Sequence, residues 1–108
     1  MKIELLYWEE CPSYGETLTR LREALREEGL DAGVEMVHVG TDKQAVALHF
    51  PGSPTIRMDG RDLFPASDAV VGLTCRVYHT GDGRVSPLPS KEMIRQALRR
   101  HVHSRKGG

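Results

Sequence analysis

The sequence predicts a single mixed α/β domain, and three observations carry that expectation. Apolar residues alternate in strand fashion at Ile3, Leu5 and Tyr7; they then recur at helical spacing at Tyr14, Leu18, Leu21 and Leu25; and both kinds of pattern return further down a chain of 108 residues. A strand, a helix and a second strand in succession imply a parallel pair joined by a right-handed crossover. At this length the chain can bury one core and is too short for two.

Taken in order, residues 2–7 read as a strand, with Leu6 opposite Ile3, Leu5 and Tyr7. Apolar residues on both faces suit a central strand. Residues 12–28 read as a helix that Gly29 stops, with Glu16 and Arg20 able to pair one turn apart on its outer face. Residues 34–39 form the next strand. Thr41-Asp42-Lys43-Gln44 matches a capping box, so a short helix carrying Ala45, Val46 and Leu48 follows, ended by Phe50 and Pro51. Thr55–Met58 is a strand closed by Asp59-Gly60. Residues 61–74 hold no period and are expected to be loop, with one helical turn near 67–70. Residues 75–79 alternate and are expected as the fourth strand, antiparallel to the third because no crossover helix intervenes. Gly81-Asp82-Gly83 breaks that strand, and Ser90 caps a final helix facing inward through Met93 or Ile94, Ala97, Leu98 and His101. The expected architecture is βαβαββα, a four-stranded mixed sheet with helices on its faces, over residues 1–103. Residues 104–108 are expected as a frayed tail.

Composition narrows the function. With 15 basic and 15 acidic residues the net charge is zero, which argues against a general nucleic-acid or anionic-membrane binder. Two cysteines make neither a disulfide scaffold nor an all-cysteine zinc site, and no metal site is expected. Glu4, Glu9 and Glu10 interrupt what would be a signal core, and no apolar run approaches membrane-spanning length. A cytoplasmic, reducing location is therefore expected. His101 and His103 would lie on different faces of a helix and do not read as a metal pair.

The chemistry points to Trp8-Glu9-Glu10-Cys11-Pro12-Ser13-Tyr14, where the first strand gives way to the first helix. A thiol at a helix start meets unpartnered backbone N–H groups and the positive end of the dipole, which favour thiolate. Glu9 and Glu10 oppose this if their carboxylates face the sulfur. Pro12 is tolerated in a first helical turn and nowhere later. The second half of the pattern is Gly52-Ser53-Pro54-Thr55-Ile56, entering a strand. Together these segments resemble the thioredoxin-like superfamily, and small bacterial members with a Trp-Glu-x-Cys-Pro-Ser-Tyr opening in particular, some of which are labelled for organomercurial cleavage. The resemblance implies a cis bond at Pro54 and backbone offered by Ser53 to an extended peptide or thiol substrate, the two residues shaping a groove; Pro12 and Thr55 are expected to bind substrate beside them, and Trp8 is either a lid or core residue next to the thiol or a further substrate contact.

The chain departs from the family's Cys-x-x-Cys at its fourth position, which is Tyr14. Cys11 then works alone, as in the monothiol glutaredoxins it also resembles, or with a thiol from elsewhere. Tyr14 either begins the apolar stripe with Leu18 or places its hydroxyl one turn from the sulfur. The completing thiol is external, glutathione for example, or it is Cys75. Plain topology puts Cys75 at the far end of the sheet, about 13 Å from Cys11, beyond the Cα separation of about 7 Å that a disulfide needs. A fold-back of residues 61–74 over the site is the alternative. The same topology brings His79 toward Cys11, where an imidazole would activate the thiol. The expected function is thiol-disulfide exchange at Cys11 with a thiol or disulfide substrate. A non-catalytic binding module and soft-metal or organomercurial handling by Cys11 and Cys75 are the alternatives. An edge strand at Cys75 or an intermolecular Cys11 disulfide are two routes to a dimer, and nothing in the sequence selects either.

Overall fold

A computed structural model describes residues 1–65, 71–80 and 82–107. Within them the order is β1 (Ile3–Tyr7), α1 (Tyr14–Glu27), β2 (Val34–His38), α2 (Asp42–Leu48), β3 (Thr55–Met58), β4 (Arg61–Asp62), β5 (Tyr78–His79), β6 (Val85–Ser86) and α3 (Lys91–Gly107). The expected helical turn near 67–70 and Gly81 lie outside the described residues. The main sheet is mixed and four-stranded in the order β2-β1-β3-β4, and β5 and β6 form a separate antiparallel pair.

β1 is the central strand because it is apolar on both faces. It pairs in parallel with β2 and antiparallel with β3. Ile3 and Leu5 face a core made with Leu21 and Leu25 of α1, Ile56 and Met58 of β3, and Ile94 and Leu98 of α3. Leu6 faces the other way, onto Val39, Phe50 and Ala45 of α2. Helices thus cover both faces, two on one side and one on the other. The caps expected at two helices form: the Gln44 N–H donates to Thr41 Oγ1 at 3.1 Å and the Met93 N–H to Ser90 Oγ at 3.1 Å. The α3 backbone continues through residues 104–107, where a tail was expected.

Two strand assignments are corrected. The fourth strand of the sheet is Arg61–Asp62, reached across a two-residue hairpin at Asp59-Gly60 whose φ values, 54° and 81°, are both positive. Positive φ at both turn residues matches the right-handed twist of the flanking strands, so β3 doubles back at once rather than leaving a loop. Residues 75–79 consequently find the edge of β3 already occupied. Of these, Tyr78–His79 pair with Val85–Ser86, and Cys75 makes an isolated parallel bridge with Ser53.

Candidate active site

Cys11 lies just after β1, in a turn closed by its own N–H donating to the Trp8 carbonyl at 3.0 Å. That turn delays the helix. α1 begins at Tyr14 with Ser13 as N-cap, so Pro12 is an exposed turn residue and not part of the first helical turn. The Cys11 side chain is fully buried, and its thiol donates to the Ser53 carbonyl at 3.4 Å. Glu9 and Glu10 point into solvent; Glu9 Oε2 lies 3.7 Å from His38 Nε2.

The Ser53–Pro54 bond is cis. Ser53, Pro54 and Thr55 are all buried, which is not the exposure expected of a groove. The cover is the chain's own segment around Cys75. The Ser53 N–H donates to the Thr74 carbonyl at 2.8 Å, and the Ser53 carbonyl accepts from the Arg76 N–H at 2.8 Å. The backbone expected to bind an extended substrate is therefore hydrogen-bonded to residues 74–76. Ser53 Oγ is buried and has no hydrogen-bond partner among the described residues.

This arrangement overturns the separation expected of the two thiols. Cys75 is bridged to the residue whose carbonyl holds Cys11, so the cysteines are neighbours. The Cys75 thiol is pushed up to about 11, first by its hydrogen bond with Cys11, then by desolvation and by charge on Cys11. The two differ in access: Cys75 is exposed and Cys11 is buried. From Cys75, which lies beside Cys11, the chain runs on and carries His79 away, four residues or about 13 Å further if extended. His79 is exposed and lines a cleft with Met93 and Arg100 of α3, so the expected imidazole beside Cys11 is not formed.

Of the remaining expected site residues, Tyr14 is half-buried with its ring centroid 4.5 Å from that of Tyr7, so it belongs to an aromatic shelf rather than to the deep core. Trp8 is half-buried against the smaller core of Leu6, Val39 and Phe50.

The sequence reading missed Arg76, Tyr78 and Asp62. Arg76 is 6% exposed. Its Nη1 donates to Asp62 Oδ2 at 2.8 Å and to Thr55 Oγ1 at 3.2 Å, and Nη2 donates to the Phe64 carbonyl. The Tyr78 hydroxyl donates to the Pro54 carbonyl, and burial holds this phenol well above its usual range. The signal was there in the alternation: residues 76 and 78 share one face of an extended run, and that face is the buried one, leaving Cys75, Val77 and His79 outward. An arginine reads as a surface residue unless its partners are known. Among the described residues no three His, Cys, Asp or Glu side chains converge as metal ligands, and no helix is long and apolar enough to cross a membrane. No protein-family model, curated protein or solved structure matches the chain.

Proposed function

We propose that this chain is a thiol-disulfide exchange protein on a thioredoxin-like domain, with Cys75 as the entry thiol and Cys11 as the internal one. One observation carries the reading: Ser53 ties the two cysteines together, its backbone bridged to Cys75 and its carbonyl accepting from the Cys11 thiol at 3.4 Å. Cys75 supplies the second thiol that the Cys-Pro-Ser-Tyr segment lacks. The difference in access assigns the roles, since only Cys75 is exposed to an incoming sulfur.

In the oxidised form a Cys11–Cys75 disulfide presents the Cys75 sulfur outward. A substrate thiolate attacks that sulfur; the new bond is substrate sulfur to Cys75, the bond broken is Cys75 to Cys11, and Cys11 leaves with the electron pair. A second substrate thiolate attacks the substrate sulfur of the mixed disulfide and releases Cys75, which takes a proton. Two thiols become one disulfide and the protein becomes a dithiol. The reverse sequence reduces a substrate disulfide, and two equivalents of a small thiol such as glutathione regenerate the dithiol. Attack by Cys75 on a disulfide is the slower entry, because a thiol pushed up to about 11 is ionised in only about one molecule in ten thousand at neutral pH.

The test is treatment with glutathione disulfide followed by alkylation and peptide mass mapping. The wild-type chain is expected to lose two hydrogens and both alkylation sites. The Cys11→Ser variant is expected to stop at a glutathione mixed disulfide on Cys75. A wild-type chain that keeps two alkylatable thiols, or a mixed disulfide that maps to Cys11, refutes the assignment.

A further inference from the structure

Arg76 follows the entry thiol directly in sequence, and its side chain is sunk into the body of the domain. Burying a guanidinium is costly unless its donors are met. Here they are met by Asp62 Oδ2 at 2.8 Å, by Thr55 Oγ1 at 3.2 Å and by the Phe64 carbonyl, while its Cζ lies 4.9 Å from the centroid of the Tyr78 ring. The backbone of the same residue is equally fixed. Its N–H donates to the Ser53 carbonyl at 2.8 Å, the oxygen that also accepts from Cys11. The same backbone sits against Gly52, where a Cβ would fall 3.2 Å from the Arg76 N, Cα and Cβ, at a φ of +122° that side-chain-bearing residues rarely adopt. Cys75 is one peptide unit away, so it cannot leave Cys11 without disturbing this seat. A partly withdrawn guanidinium has no good position, which makes the seat close to two-state.

We propose that Arg76 is the positioning residue of the Cys11–Cys75 pair: its seat between β3, β4 and Gly52 sets the effective concentration of one thiol at the other, and so the reduction potential of their disulfide. The proposal rests on the exchange function above. Effective concentration governs an intramolecular disulfide as it governs any tethered encounter, and loosening the dithiol form makes the disulfide easier to reduce.

The experiment is the midpoint of the Cys11–Cys75 disulfide in glutathione redox buffers, read by alkylation and mass on the full chain. Arg76→Gln is expected to lower the effective concentration at least tenfold, raising the midpoint by about 30 mV. Arg76→Lys keeps a charge against Asp62 without the planar fork and is expected to recover part of that shift. Asp62→Asn, which leaves Arg76 in place with its ion pair broken, is expected to move the midpoint in the same direction by a smaller amount. A purely structural arginine would lower the melting temperature of the variants and leave the midpoint of the folded protein where it was. Folded Arg76→Gln with a midpoint within threefold of wild type overturns the proposal. Should that variant not fold, an unchanged midpoint in Asp62→Asn overturns it instead. A wild-type chain that forms no internal disulfide removes the exchange function and this role together, and it is recognised before any variant is made.

Discussion

In a Cys11→Ala variant the Cys75 thiol loses the first and third of the three influences that hold its proton, the hydrogen bond to Cys11 and the charge on Cys11, and keeps only the desolvation. Its pKa then falls from about 11 toward the free value of about 8.5, with desolvation alone holding it above. At pH 8 the thiolate fraction rises about a hundredfold. The gain in rate is smaller, because nucleophilicity falls as the pKa falls; a Brønsted slope of about 0.4–0.5 takes back six- to tenfold and leaves a net acceleration of about tenfold. The assay is iodoacetamide modification of Cys75 at pH 8, followed by peptide mass so that the wild-type Cys11 signal does not enter. The pH–rate profile adds a second reading, since its midpoint moves down from about 11. Equal Cys75 rates in wild type and variant, with unchanged midpoints, would refute the claim that the two sulfurs interact. That result would also remove the geometric basis of the proposed exchange function.

The other predictions concern how the site is held. Cys75 is neutral in the fold up to about 11 and near 8.5 when unfolded, so the stability it lends below pH 8.5 is lost as the pH climbs toward 11; urea unfolding is expected to weaken more steeply over that range in wild type than in Cys75→Ser. Gly52→Ala places a methyl 3.2 Å from the Arg76 backbone at a φ of +122° and is expected to cost about 1–3 kcal/mol in urea unfolding. Ser53→Ala removes a buried hydroxyl with no partner among the described residues; its stability is expected to stay equal or rise by about 1 kcal/mol, and a clear loss would show that the hydroxyl is satisfied in solution. Thr41→Ala removes the acceptor of the Gln44 N–H and is expected to cost about 1 kcal/mol by the same measurement.

What was legible in the sequence was what is written locally. β1, α1, α2, β3 and α3 announce themselves by periodicity within one element and by caps such as Thr41 and Ser90, whose acceptors lie three residues from their donors. Cys11 and Ser53–Pro54 were legible through motif chemistry and resemblance. β4 was not, because two residues carry no period; its signal was the Asp59-Gly60 dipeptide, read as a stop when its two positive φ values make it a return. The place of Cys75 was hidden for a deeper reason. It is fixed by a bridge to Ser53 and by an arginine whose partners, Thr55, Asp62 and Phe64, come from other elements. No window around residue 75 contains that information, and the hydropathy of Arg76 points the wrong way.

The same long-range placement changes what the first motif can do. In the sequence Cys11 reads as an entry thiol at the mouth of a groove; in the structure it is buried, and the Ser53 hydrogen bonds that a substrate strand would use are filled by Thr74 and Arg76. For Cys11 to meet a foreign sulfur first, the bridge to Cys75 would have to break and Arg76 would have to leave Asp62 and Thr55. Exchange through Cys75 needs neither movement. The two routes therefore separate experimentally: a route through Cys11 should quicken when Arg76→Gln loosens the cover. A route through Cys75 should slow at its internal step, because that step depends on the closeness the cover maintains.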